Sequence, residues 1–384
     1  MPSFESDSAA RPRGSTGVAP PADKTAVRVR PAVGRVPVYK PGKPPAAVAG
    51  DLVAYKLSSN ENPYPPLPGV LEATARAVTQ MNRYPDMGNV AMTAALSARL
   101  GVEPERLAFG TGSVAVLYHL LQACCEAGDE VVYAWRSFEA YPIAVAITGA
   151  TAVPVPLGPG AVHDLAAMQA AITPLTRIVL LCTPNNPTGP ALGHAEVVAF
   201  LDAVPEDVLV AVDEAYVEFV TDPERVRGLD LVAERGNVVV LRTFSKAYGL
   251  AGFRVGYCVA SPPIAAAVRA VALPFGVSVP AQAAVVASLD AEPALLERVD
   301  HLVRAREELV TGLRELGFPV PEAQGNFVWL PAGPRTAAYA EAFGAAALSV
   351  RPYATGDDQD GVRITVGEPE ANARVLEVAA TLPR

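Results

Sequence analysis

The chain has few lysines, few cysteines, no long apolar run and no excess of positive charge, and each shortage removes a class of function. Its 384 residues carry a formal net charge of -9, so counterion release gives the surface no reason to bind nucleic acid. No apolar stretch approaches the ~18 residues that cross a bilayer. Residues 1–33 mix Ser, Pro, Gly and Arg with Glu5, Asp7 and Asp23 and lack the apolar core of a secretion signal. A flexible tail over 1–33, a cytoplasmic location and the absence of membrane or nucleic-acid partners are therefore expected. Cys124, Cys125, Cys182 and Cys258 contain no C-x-x-C spacing, which points to neither a zinc cluster nor a disulfide framework and to no metal site.

The lysine shortage says more. Of 31 Lys and Arg residues only five are lysines, at 24, 40, 43, 56 and 246, so Lys246 stands alone in the last three hundred residues and more. Where positive charge suffices this chain uses Arg; an amine can lose its proton and form an imine, and a guanidinium cannot.

What is present is globular: 51% hydrophobic against 18% charged residues, with length for two or three folded units. Residues 34–67 form an arm, because Pro37, Pro41, Pro44 and Pro45 interrupt any helix. From about Pro68 helices alternate with short apolar strands. Leu71–Met81, Val90–Leu100 and Val114–Cys125 read as helices; Glu130–Tyr133, Arg177–Cys182, Val208–Val212 and Val238–Leu241 read as strands. This predicts an α/β fold with a mostly parallel sheet between helices over 68–289. A smaller α/β domain is expected over 290–384, with a charged helix at Leu295–Leu316 and strands at Phe327–Leu330, Ser349–Arg351 and Val362–Val366.

In open α/β sheets ligands bind beyond the carboxyl ends of the strands, so the polar residues there are the candidates. They are Cys182 to Gly189 with Asn-Pro-Thr-Gly inside, Asp213 to Tyr216, Thr243 to Arg254, and the turn ending in Gly112-Ser113 before a helix. Singly each has a plain reading. Asn-Pro-Thr-Gly is a turn composition, a Gly-Ser turn caps helices, and a lone lysine can be a solvated one. A strand-ending Asp can hold magnesium in a nucleotide hydrolase, but no G-x-x-x-x-G-K-[ST] loop accompanies it. Together they meet the needs of one cofactor, pyridoxal 5'-phosphate. Gly112, Ser113, Ser245 and Arg254 offer phosphate donors, Asp213 a carboxylate for the pyridinium nitrogen, Asn186 and Tyr216 donors for the phenolic oxygen, and Lys246 the amine for the aldehyde.

The order Asn-Pro-Thr-Gly, Asp-x-x-Tyr, Ser-Lys-x-x-Gly-x-x-x-x-Arg resembles the fold-type I, class I/II pyridoxal-phosphate aminotransferases over nearly the whole folded chain. Lys56 to Tyr64, Asn82-Arg83-Tyr84-Pro85, Thr243 to Tyr257 and Val362 to Gly367 are similar to the histidinol-phosphate aminotransferase subfamily. Gly112-Ser113-Val114 and Trp135 to Pro142 resemble its branch acting on phenylalanine and other aromatic amino acids. The resemblance implies that Lys246 both binds the cofactor and shuttles the substrate proton. It further implies that Asp213 pairs with the ring nitrogen, that Phe138 stacks on the ring, and that Tyr84 reaches the cofactor phosphate of a neighbouring subunit, hence a homodimer with shared sites. Arg363 is then the arginine for the substrate's carboxylate or phosphate, the plain alternative being an edge-strand surface residue. Arg351 is a second candidate, and Asn60 to Tyr64 would line the entrance.

Two departures bear on substrate: Val114-Ala115 replaces the acidic pair usual in histidinol-phosphate enzymes, and Phe138 replaces the usual Tyr. Both favour an aromatic amino acid with a 2-oxo acid such as 2-oxoglutarate in a ping-pong cycle. The alternatives are histidinol-phosphate transamination, another reaction of the same cofactor such as decarboxylation, or a non-catalytic binding platform on the same fold.

Overall fold

Apolar runs bounded by polar turns become strands because only a sheet buried on both faces can hide every side chain of such a run. In the computed structural model, which describes residues 29–30, 33–34, 36–45 and 52–383, the strands are β1 Tyr55–Lys56, β2 Leu107–Gly110, β3 Glu130–Trp135, β4 Thr151–Pro156, β5 Thr176–Cys182, β6 Leu209–Asp213, β7 Val238–Thr243, β8 Gly256–Val259, β9 Phe327–Pro331, β10 Leu348–Ser349, β11 Arg351–Tyr353 and β12 Gly361–Thr365. Most of the expected tail, 1–28 and 31–32, lies outside the described residues; within it Arg30 donates to the Ile147 carbonyl at 3.0 Å.

Seven strands form one sheet in the order β2-β8-β7-β6-β5-β3-β4. β4, β3, β5, β6 and β7 pair in parallel, and β8 runs antiparallel to both β7 and β2. The carboxyl ends of β2, β3, β5, β6 and β7 and the start of β8 therefore meet along one edge. Alternation sends Val132, Val179, Val210 and Val240 to one face, where the helices Val90–Leu100 and Val279–Asp290 cover them. It sends Val131, Ile178, Ala211 and Val239 to the other, under Ser113–Cys124 and Pro262–Val271.

The smaller unit is the antiparallel sheet β11-β12-β9 packed by the helices Glu292–Glu315, Thr336–Ala345 and Pro369–Thr381. The segment 34–67 divides in space. Residues 36–45 carry no helix or strand, whereas β1 pairs in parallel with β10 and Leu57 is buried in the smaller unit's core with Leu309, Val328 and Ile364. Two paired residues are too few for a periodicity to show in the sequence. A fourth cluster, Tyr216, Phe219, Ala247, Val299, Leu302, Phe327 and Val366, joins the two units and forms the ground on which the strand-end edge rests.

One close approach fixes that edge. A Cβ on Gly256 would lie 2.1 Å from the Ser113 nitrogen and 2.5 Å from the Gly112 carbonyl carbon, so only glycine lets β8 pass beneath the turn that starts the Ser113–Cys124 helix. Gly256→Ala is expected to lower unfolding stability by about 1–3 kcal/mol and to weaken retention of a phosphate ligand at that turn. A denaturation melt and a cofactor-release assay check both.

Candidate active site

Lys246 follows β7 on the tight segment Thr243-Phe244-Ser245 and lies half-buried, its open side facing a cavity of about 320 Å³, a size suited to a small molecule. Its Nζ donates to the carbonyls of Ser59 and Asn60, both at 3.1 Å. Burial, reinforced by the nearby charges of Arg363 and Arg254 and opposed by Glu61, pushes the amine down to about 7. Near neutral pH much of it is thus the free, nucleophilic form.

Asp213 ends β6 and is buried. The Tyr141 hydroxyl donates to its Oδ2 at 2.8 Å and the Ala215 N–H to its Oδ1 at 3.3 Å. Burial pushes the carboxyl up to about 6, with those two donors pulling the other way. No cation pairs with it among the described residues, so a protonated ring nitrogen would complete the site. Phe138 lines the same cavity and meets Tyr141 edge-on, 5.7 Å between centroids, which links the ring wall to the acid.

At the phosphate end, Gly112 (φ +89°) leads into Ser113, the first residue of its helix; the N–H groups of Ala115 and Val116 donate to the Gly112 carbonyl, whereas those of Ser113 and Val114 have no helical acceptor. A Cβ on Gly112 would sit 2.5 Å from Arg254 Nη2; the guanidinium lies directly over the turn. Arg254 also donates to Ser245 Oγ at 3.3 Å and to the Ala251 carbonyl at 3.0 Å. It has no acidic partner among the described residues. A cradle of helix N–H groups, two serines and an unpaired guanidinium fits a phosphate dianion, and with Lys246 and Asp213 it fits pyridoxal phosphate as a whole.

Arg363 on β12 is buried and equally lacks an acid. Its Nη1 donates to Asn186 Oδ1 at 2.5 Å and to the Tyr353 hydroxyl at 3.2 Å, its Nη2 to the Ser58 carbonyl at 2.7 Å, and its buried Nε has no partner. A surface role on an edge strand is excluded, since β12 lies between β11 and β9. With its oxygen taken by Arg363, Asn186 keeps its amide N–H groups for a ligand. The Tyr216 hydroxyl accepts from Asn60 Nδ2 at 2.9 Å.

Two expected residues, Asn60 and Tyr64, stand elsewhere than their sequence reading put them. Asn60 has no exposed surface; its backbone is left-handed (φ +51°), its N–H donates to Thr365 Oγ1 and its amide holds Tyr216, so it braces the site from below and does not line the entrance. Tyr64 is off the main cavity, on a neighbouring depression with Lys56 and Gly249, with Arg298 over its ring. Tyr84 is 81% exposed and stacks on Phe275 at 4.6 Å, away from this chain's own Lys246. Arg351 lines the cavity but is paired with Glu139 at 2.5 Å.

Sequence reasoning missed Tyr141, whose only signal was its place in the stretch Trp135 to Pro142. It also missed Asn185, which accepts from Ser137 Oγ and His163 Nε2 and donates to the Arg136 carbonyl and Thr188, fixing the strap that carries Phe138. Burial pushes His163 down to about 4, so it is the neutral Nε2–H form that donates there.

The model of the family "Aminotransferase class I and II" matches residues 54–378. The chain is 58% identical over 355 residues to a protein named aromatic amino acid aminotransferase from Streptomyces avermitilis, covering 92% of this chain and 97% of the relative. It is 49% identical to one of the same name from Thermobifida fusca, covering 93% and 97%. Among solved structures, a histidinol-phosphate aminotransferase from Sinorhizobium meliloti in complex with pyridoxal-5'-phosphate superposes with a TM-score of 0.82 at 28% identity, covering 94% of this chain and all of that one. A Thermus thermophilus aspartate aminotransferase mutant gives 0.75 at 27%, covering 86% and 92%.

The lowered proton affinity of Lys246 sets the pH dependence of cofactor capture. In cofactor-free protein mixed with pyridoxal phosphate, the capture rate should climb as pH rises through about 7 and level off above it; a solvated lysine would still be gaining rate at about pH 9. Absorbance stopped-flow across that range distinguishes the two.

Proposed function

The chain belongs to the class I and II aminotransferases, and from that premise we propose that it transfers the amino group of an aromatic amino acid such as phenylalanine to a 2-oxo acid such as 2-oxoglutarate. The first product leaves before the second substrate enters, and the protein works as a homodimer with shared sites. The observation that carries this reading is the meeting, in one cavity, of a nucleophilic amine with two guanidiniums that no acid neutralises among the described residues. The names of the relatives from Streptomyces avermitilis and Thermobifida fusca supply the aromatic substrate.

Pyridoxal phosphate supplies the aldehyde that takes up the amino group and the ring that stabilises negative charge at the substrate carbon. The chain's own groups do the rest. Arg254, Ser245, Ser113 and the helix start would hold the phosphate, Asp213 would keep a proton on the ring nitrogen, and Asn186 and Tyr216 would bond the phenolic oxygen. Arg363 binds the substrate carboxylate, and Lys246, once free, moves a proton between the substrate carbon and the cofactor. Apolar Val114 and Phe138 on the cavity wall suit a flat side chain.

The dimer is supported by an exposed apolar surface. Tyr84, Met87, Leu273 and Phe275 are 81%, 61%, 67% and 41% exposed, and Met87, Leu273 and Phe275 line a groove that also contains Gly110 and Thr111 of the phosphate turn. A second copy seated on that surface would bring its own residues to this turn and this copy's Tyr84 to the other. Sedimentation should give a dimer for the wild type and mainly monomer, with weakened cofactor retention, for Phe275→Asp. An unchanged dimer would exclude this surface as the interface.

The substrate is read from a half-reaction: cofactor-loaded protein is mixed with phenylalanine or histidinol phosphate without oxo acid, and the bound cofactor's visible absorbance is followed. Faster loss with phenylalanine is expected. Conversion faster with histidinol phosphate would reassign the substrate, and Lys246→Ala should lower turnover by at least about 10³-fold.

A further inference from the structure

Three guanidiniums surround one ring. Arg136, Arg351 and Arg363 lie 5.5, 5.7 and 5.9 Å from the centroid of Tyr353. Three positive charges so close need compensation, and two have it: Arg136 pairs with Asp360 at 3.3 Å and Arg351 with Glu139 at 2.5 Å. Arg363 has no acid among the described residues and is left for the substrate's carboxylate. Arg351 and Glu139 face the same cavity as Arg363 and Lys246, so the wall of the substrate site contains one cation that is free and one that is occupied.

The two partners of the occupied pair are unequal. The Arg351 side chain is 9% exposed and that of Glu139 26%. Glu139 sits just before the helix Ala140–Thr148 without capping it through its side chain; its carboxylate is committed to Arg351 alone among the described residues. Glu139 can therefore turn toward water, whereas Arg351, once unpaired, would be a buried charge without compensation.

This inference rests on the transaminase reading, under which one cavity takes an aromatic side chain and a 2-oxo acid in turn. An aromatic side chain requires a wall without net charge; the distal carboxylate of a dicarboxylic 2-oxo acid requires a cation. We propose that Glu139 is the residue that reconciles them. It occupies Arg351 while the aromatic substrate is bound and gives way to the distal carboxylate of a dicarboxylic 2-oxo acid. One carboxylate replaces another on the same guanidinium, so Arg351 is paired in both states, and no bond is made or broken beyond hydrogen bonds.

The test uses the full-length, cofactor-loaded protein with phenylalanine as amino donor. Its readout is the ratio of kcat/KM for 2-oxoglutarate to kcat/KM for 4-methyl-2-oxopentanoate, which lacks the second carboxylate. Glu139→Gln, which removes the charge opposite Arg351 without changing side-chain size, should raise that ratio about tenfold, and the gain should vanish in Glu139→Gln/Arg351→Gln. Arg351→Gln alone carries the same test with opposite sign, a ratio lowered about tenfold, and serves if Glu139→Gln does not load cofactor. A ratio that Glu139→Gln or Arg351→Gln leaves unchanged overturns the role of Glu139. Wild-type protein inactive with phenylalanine would instead overturn the aromatic reading, an outcome visible before any variant is made.

Discussion

The amine of Lys246 hangs from two backbone carbonyls, those of Ser59 and Asn60, and much of the site depends on that turn being where it is. Its neighbour Leu57 is locked into the smaller unit by its N–H on the Ser349 carbonyl and by the Thr365 N–H on its own carbonyl. Asn60, in a left-handed conformation that asparagine tolerates better than most residues, then holds Tyr216 with its side chain and receives Asn326 Nδ2 on its carbonyl at 3.2 Å. The Ser58 carbonyl receives Arg363. One short stretch thus sets the positions of the Lys246 amine, the Arg363 guanidinium and the Tyr216 phenol from three different elements. A change in packing between the two units would be felt directly at Lys246.

The charges explain why such a site persists without collapsing on itself. Among the described residues Asp213 is a carboxyl group without a cation, and Arg254 and Arg363 are cations without a carboxylate. Elsewhere in the described interior, charges are matched, as Arg242 is by Glu214 at 2.7 Å, or tied to carbonyls, as Arg306 is to those of Phe219 and Gly325. Leaving three unmatched charges at one edge of the sheet costs stability. The set is complementary to a molecule with a cationic ring nitrogen and two anionic ends, which is what a pyridoxal phosphate loaded with an amino acid presents.

The central strands were legible because β5, β6 and β7 are buried on both faces and so read as uninterrupted Val, Leu and Ile. The margins were not. β4 carries Pro154 and Pro156 and survives only as an edge strand, and β2 and β8 are four residues each, set among glycines. The site divides the same way. Residues at or just beyond strand ends, Asn186, Asp213, Ser245 and Lys246, were found because chain position and spatial position coincide there. Tyr141 on Asp213 and Glu139 on Arg351 join segments 72 and 212 residues apart, and neither contact has a local signal. Asn60 was misplaced because a left-handed φ turns a polar residue inward, and composition does not reveal φ.

The arrangement also couples binding to proton transfer. Burial is the largest cause of the low proton affinity of Lys246, and the charges of Arg363 and Arg254 add to it. Those same two guanidiniums are the ones that no acid neutralises among the described residues, and they are free to receive anions. Each anion that docks cancels part of the repulsion that keeps the amine neutral, so Lys246 gains proton affinity as the site fills. A free amine suits the capture of an aldehyde, and a more basic one suits the removal of a proton from the substrate carbon. The shift from one to the other needs no moving part, only the arrival of the charges that the site lacks when empty.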